Sequence, residues 1–253
     1  MLSVIRIFLT VLFTAVVCSV GLIICLFKPK DLNHVYRVAR FFRFLAPLYG
    51  IKVILRYEDR STVPEQAIYI TNHQNNLDLV TAAGIVSPKT VTVGKKSLKW
   101  IPIWGQLYWL SGNILIDREN QKKAIQTMNH VVDEIKQKGV SIWMFPEGTR
   151  SRGRGLLPFK AGAFHSAIGA NVPIVPICVS NITGSKVNLN RWNNGYVIVE
   201  MLKPIDVTPY IEEQNSRKAA RDLSQLAFDI MKKRIEELDK EVLEIEASIE
   251  QKR

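Results

Sequence analysis

A repeated alternation constrains this chain most: seven short apolar, β-branched-rich runs are separated by stretches in which apolar residues recur at helical spacing. The runs cover residues 51–56, 67–71, 90–93, 113–116, 140–145, 174–179 and 196–201, and the clearest intervening helix covers 119–138. Strands joined through helices pair mostly in parallel. The pattern therefore predicts an α/β fold, a mixed, mainly parallel sheet covered by helices, with functional residues at strand ends. Val172-Pro173-Ile174-Val175-Pro176-Ile177 reads as a stiff strand whose pairing is restricted near each proline. At 253 residues and 47% hydrophobic, the chain can fill one such domain and carry attachments at both ends.

The N-terminal attachment is apolar. Residues 7–27 run 21 positions without a charge, enough as a helix to cross a hydrocarbon core of roughly 30 Å. The run exceeds the ~7–15 apolar residues of a cleaved signal and no small-residue cleavage site follows, so a retained helical membrane anchor is expected. Lys28, Lys30, Arg37, Arg40 and Arg43 come next, and this basic flank should stay cytoplasmic or rest on anionic headgroups. Residues 32–49 interleave those arginines with Val38, Phe41, Phe42, Leu45 and Leu48 as one basic amphipathic helix. Such a helix lies in the membrane interface or packs on the protein's own core; both need an apolar face. At the other end, residues 217–253 are charged throughout, with Leu223, Leu226, Ile230, Ile235, Leu238, Val242 and Ile245 at helical spacing. A long amphipathic helix is expected there, docked first and fraying into a solvated tail. The organisation is thus 1–49 membrane-associated helices, 50–215 α/β domain, 216–253 C-terminal helix and tail.

The formal charge of +11 suits nucleic acid, an anionic membrane or an anionic substrate. No zinc-finger spacing or aromatic-rich RNA-binding signature supports nucleic acid, whereas the apolar N-terminus favours lipid. Cys18 and Cys25 lie in the anchor and Cys178 in a strand, so no disulfide framework is implied. Trp100, Trp104, Tyr108 and Trp109 could line an apolar groove or the membrane interface, or belong to the core.

Chemistry concentrates where the strands end. In Asn72-His73-Gln74-Asn75-Asn76-Leu77-Asp78 a histidine precedes an aspartate by five positions. A carboxylate on one ring nitrogen fixes the tautomer and leaves the other nitrogen free to take a proton. Phe145-Pro146-Glu147-Gly148-Thr149-Arg150-Ser151 follows another apolar run. Gly148 permits a positive φ or close approach, Thr149 and nearby amides can donate to oxyanions, and Arg150 offers a planar fork for phosphate. The alternative is a surface turn with a Glu147–Arg150 ion pair. Gly112-Asn113-Ile114-Leu115-Ile116-Asp117-Arg118 ends another strand with a second candidate phosphate ligand, Arg118. Lys95 and Lys96 end the run before it, and either can join them. The Gly-rich basic stretch 151–155 is the best candidate for a mobile loop. No Cys cluster or H-E-x-x-H pattern adds ligands to His73 and Asp78, so no metal site is expected.

In order and spacing, NHQNNLD, GNILIDR, FPEGTRS and VPIVP resemble the four motif blocks of the glycerolipid acyltransferases, over residues 67–180. KKSLKWIPIWGQLYW and RGRGLLPFKAGAF add likeness to the bacterial branch that acts on lysophosphatidic acid. The resemblance implies transfer of a fatty acyl group from acyl-CoA or acyl-carrier protein to the free hydroxyl of lysophosphatidic acid, without a cofactor, giving phosphatidic acid at the bacterial inner membrane. It also implies His73 and Asp78 as the catalytic pair. Lys95, Arg118, Glu147, Gly148, Thr149 and Arg150 would be substrate-binding, with Lys95 favoured over Lys96. Leu115 stands where the family often has an aromatic, which bears on packing. Glycerol-3-phosphate or another lysophospholipid as acceptor, and a non-enzymatic protein binding anionic lipid, are the competing expectations.

Overall fold

A computed structural model describes residues 1–182 and 187–251. In chain order the elements are α1 (Leu2–Phe27), α2 (His34–Phe42), α3 (Leu45–Leu48), β1 (Lys52–Tyr57), β2 (Ile68–Thr71), α4 (Asp78–Thr81), β3 (Thr90–Lys95), α5 (Trp104–Leu110), β4 (Ile114–Ile116), α6 (Gln121–Lys138), β5 (Ser141–Met144), α7 (Gly162–Ala170), β6 (Ile174–Val179), β7 (Tyr196–Met201), α8 (Thr208–Ile211) and α9 (Ser216–Glu250). All seven expected strands form, within about two residues of their expected ends. They make one sheet in the order β1-β7-β6-β2-β5-β3-β4. Every pairing is parallel except β6 with β7, so β1 and β7 run against the other five.

The centre of the sheet is buried on both faces, which is why β2, β5 and β6 read as continuous apolar runs. Within β2, Ile68 and Ile70 join a core formed with Val131, Phe164, Leu223 and Leu238 of α6, α7 and α9. Tyr69, one step out of phase, joins the opposite core with Phe42, Leu45, Val80 and Leu107 of the first helices. Three layers result. Pro176 lies inside β6, where its carbonyl accepts from Leu202 N–H at 2.9 Å just beyond the end of β7. The missing proline N–H therefore falls where the β7 ladder has stopped, as the restricted pairing expected near this residue requires.

Two expectations at the ends are corrected. Residues 32–49 do not form one helix. Pro47 has no N–H for the carbonyl of Arg43, which accepts from Ala46 at 3.3 Å instead, and the chain turns between α2 and α3. The segment packs on the protein's own core through the buried Phe42, while Arg37, Phe41, Arg43 and Phe44 face outward. Nor does α9 fray; it stays helical through Glu250. Val242 is buried, Tyr196 N–H donates to Glu246, and Arg56 pairs with Glu241, so the late turns are held by the sheet. Arg234, inside the same helix, holds Glu200, Glu237 and Glu241 at 2.7, 2.8 and 3.1 Å.

Helix α1 lies along the domain. Ser3 N–H donates to Asn190, the buried Arg6 donates to the carbonyls of Leu189 and Arg191 at 2.9 and 2.6 Å, and Lys30 N–H closes the far end on Leu110. One side packs on α2 and α5 through residues such as Cys18 and Cys25, whereas Val4, Phe8, Val11, Leu12, Val16 and Val20 point outward. It is the one helix among the described residues long and apolar enough to cross a membrane.

Candidate active site

The C-terminal ends of β2 and β5 open side by side, because these two strands are parallel neighbours in the sheet. The loop after β2 carries His73 and the loop after β5 carries Glu147 to Arg150. Backbone bonds zip the two loops together: Ser151 N–H donates to the His73 carbonyl at 2.7 Å and Arg152 N–H to the Gln74 carbonyl at 3.0 Å. The segment expected to be mobile, 151–155, is thus tied down at its start.

His73 Nδ1 lies 2.6 Å from Asp78 Oδ2. The same oxygen accepts the N–H groups of Gln74 and Asn75 at 2.8 and 3.1 Å, so it is held as an acceptor at the start of α4. Nδ1 therefore carries the proton and the Nε2 lone pair is left open. The imidazole also stacks on Phe145, with centroids 4.0 Å apart and planes 22° apart. Asp78 fixes one edge of the ring and Phe145 its plane.

The polar residues around His73 hold its loop. Asn72 forms a two-way amide clamp with the backbone of Val179, both bonds 2.9 Å, and Gln74 reaches the carbonyls of Val179 and Ser180 and the N–H of Ile182. Sequence reasoning assigned these side chains no role. Their signal was present as four amide side chains within five positions, more than a turn needs.

Glu147 sits within the protein, not at its surface, and makes no ion pair with Arg150. Its carboxylate accepts His73 N–H at 2.5 Å and Leu157 N–H at 3.0 Å, and burial pushes its pKa up to about 7. It braces the histidine loop from behind. Because this pKa is raised on folding, the associated stability is fully present below the ordinary carboxylate pKa and is lost as pH rises through about 7. Thermal unfolding midpoints of the wild type should therefore fall relative to those of Glu147→Gln between about pH 5 and pH 8, since glutamine does not titrate. A difference that stays constant across that range contradicts the buried, titrating carboxylate.

Gly148 has φ of 68°, and a Cβ there would come within 2.9 Å of Lys160 Cε. That contact identifies Lys160 as a further cation beside the turn, within the RGRGLLPFKAGAF stretch but unassigned from sequence. Arg118 donates to the Gly148 carbonyl at 2.7 Å. Burial lowers its pKa, and the charge of Arg150 lowers it further, placing two guanidinium groups within electrostatic reach of each other. Thr149 and Arg150 are exposed on the outer side of the turn. Lys95 and Lys96, at the end of β3, pair with Glu119 at 3.1 Å and Asp117 at 3.4 Å. Direct bonds thus link His73, Asp78, Glu147, Gly148 and Arg118, while Thr149, Arg150 and Lys95 stand on the solvent side. The aromatic quartet divides: Trp104 packs edge-on against Phe42 at 5.5 Å and Tyr108 hydrogen-bonds Thr92 at 2.6 Å, whereas Trp100 and Trp109 face outward. No cluster of metal-ligating side chains occurs among the described residues.

An acyltransferase family model matches residues 54–180, a span that contains every one of these loops. The 1-acyl-sn-glycerol-3-phosphate acyltransferase of Salmonella typhimurium is 57% identical over 98% of this chain and 99% of its own length. The protein of that name in Escherichia coli is 56% identical over the same shares. The crystal structure of a 1-acyl-sn-glycerophosphate acyltransferase from Thermotoga maritima superposes with a TM-score of 0.71 over 94% of both chains, at 20% identity, and so supports the fold. The chain belongs to the acyltransferase family and, at 56–57% identity over nearly full length, groups with its 1-acyl-sn-glycerol-3-phosphate acyltransferases.

Proposed function

We propose that this enzyme transfers a fatty acyl group from a thioester to the sn-2 hydroxyl of 1-acyl-sn-glycerol-3-phosphate, giving phosphatidic acid. The observation that carries the reading is the His73 Nδ1–Asp78 Oδ2 contact of 2.6 Å, with Nε2 left open beside an arginine-bearing turn. Nε2 takes the hydroxyl proton as the oxygen attacks the thioester carbonyl, and the Asp78 carboxylate stabilises the imidazolium that forms. The carbon–sulfur bond then breaks, the acyl group stays on the acceptor oxygen, and the thiolate leaves with the proton returned by His73. Attack is direct. Cys178 is no alternative nucleophile, since burial raises its thiol pKa far above the reactive range, and no G-x-S-x-G elbow is present.

Arg150, Arg118 and Lys95 bind the acceptor phosphate, away from the reacting hydroxyl, so that remote binding aligns the attack. Glu147 supports this site through the backbone. Acyl-CoA or acyl-carrier protein is the donor, and no cofactor takes part. Thiol release measured in vesicles for each donor with each of lysophosphatidic acid, glycerol-3-phosphate and another lysophospholipid tests the assignment. Preferred turnover of glycerol-3-phosphate would replace the acceptor, and binding without turnover would reject the enzyme.

The outward face of α1, with Phe41 and Phe44 of the neighbouring turns, supports attachment at the bacterial inner membrane, and the arginines of α2 support contact with anionic headgroups. The basic flank after Phe27 supports a cytoplasmic orientation of the catalytic domain. Protease added outside spheroplasts should therefore leave the 151–155 loop intact, whereas inverted membrane vesicles should expose it. Cleavage in intact spheroplasts would reverse the orientation.

A further inference from the structure

Beyond the reaction centre, a long groove runs down the open edge of the sheet. Strand β4 is the last strand and has no partner on its outer side. Beside it α6 and α5 stand apart, enclosing about 740 Å³ over a floor that includes Val91, Ile114 and Leu115. From Lys123 to Lys138 the α6 wall covers fifteen steps, or roughly 22 Å of helix. The groove is basic: Lys30, Lys96, Lys99, Lys123 and Lys138 line it against only Asp117 and Glu134 among the carboxylates. Two of these lysines are locally satisfied, Lys96 by Asp117 and Lys138 by Glu134. Lys30 and Lys99 rest over the rings of Trp109 and Trp100, and Lys123 has no ion-pair or hydrogen-bond partner for its ammonium among the described residues.

Lysine-bearing walls beside the exposed ring of Trp109 and the half-buried Leu115 match an amphipathic helix that is acidic on its flanks. The length of the α6 wall equals about four turns of such a helix. The groove also opens at the same end of the sheet as the reaction centre, two strands short of β2, because Asp117 in its lining precedes Arg118, whose guanidinium holds the Gly148 turn. A carrier seated there would present its prosthetic arm at the strand ends where His73 lies. We infer that this groove docks an acidic helix of an acyl-carrier protein that delivers the thioester to His73. The inference rests on the acyltransferase reading above. A coenzyme A donor has no protein helix to seat, so the groove separates the two donor classes.

The test compares wild type with Lys123→Glu/Lys138→Glu, both positions being exposed on α6 and outside the reaction centre. Steady-state thiol release is measured in the same vesicles with acyl-carrier protein and with acyl-CoA, using lysophosphatidic acid as acceptor. KM for acyl-carrier protein should rise about tenfold or more, while both constants for acyl-CoA stay within about twofold, which also reports that the variant is folded. A carrier variant with two helix acids changed to lysine should recover much of the loss. Equal increases for both donors, or none for either, overturn carrier docking. Failure of the wild type to use acyl-carrier protein while it uses acyl-CoA overturns it as well. Failure with every donor instead rejects the acyltransferase reading itself.

Discussion

His73→Ala is expected to lower kcat by about a thousandfold or more, since positioned proton transfer contributes typically about 10²–10⁴ and the nearby Glu147 carboxylate is engaged by the backbone N–H groups of His73 and Leu157. The imidazole is only half-buried at the loop surface, stacked on Phe145, and its loop is held by backbone and by Asn72 and Gln74. Its loss should thus leave the fold intact and appear in kcat, with KM little changed. Asp78→Asn should leave a measurable trace. The N–H groups of Gln74 and Asn75 that converge on Oδ2 will hold the amide oxygen of asparagine in the same place, so His73 keeps its tautomer and orientation and loses only the negative charge behind the imidazolium. Circular dichroism and thiol release on both variants check this ordering. A folded His73→Ala enzyme with more than about a tenth of wild-type kcat, or an Asp78→Asn enzyme weaker than it, contradicts the acid–base pair.

Much of this arrangement was legible in the chain, for a physical reason in each case. The sheet could be read because its central strands are buried on both faces and so are apolar without interruption, as in Ile68–Thr71 and Ile174–Val179. The order of the strands could not: a strand's periodicity carries no information on its neighbour, and the reversal of β1 and β7 is fixed by long-range packing. His73 and Asp78 were found because their spacing at a strand end suits a histidine–carboxylate pair and falls within the first of the motif blocks that carry the family resemblance. Glu147 shows the converse. The family resemblance put it among the substrate-binding residues, and in the structure both of its oxygens accept backbone N–H groups, those of His73 and Leu157. Which way a turn aims its acid depends on a donor ten residues further on, and no local pattern encodes that. Phe145 and Lys160 were overlooked for the same reason, since a stack and a cation beside a glycine exist only once separate loops converge.

Arg150→Ala should weaken use of lysophosphatidic acid by roughly ten- to a hundredfold or more, because a charge-assisted phosphate contact contributes on the order of 1.5–3 kcal/mol. Two observations make this arginine the stronger choice over Arg118. Arg118 is half-buried and already donates to the Gly148 carbonyl, so removing it disturbs the turn as well as the charge. Arg150 is exposed on that turn, and its guanidinium has no protein partner among the described residues, leaving its whole fork available to a phosphate. Its loss should therefore act on substrate with little effect on stability. Arg150→Lys should fall between alanine and wild type, since lysine restores the charge without the bidentate geometry. Varying acceptor and donor independently separates the possibilities: the loss should follow the lysophosphatidic acid concentration and be nearly insensitive to the donor. An increase in KM confined to the acyl donor would move this turn from the acceptor site to the donor site, and with it the proposed route by which the phosphate aligns the hydroxyl with His73.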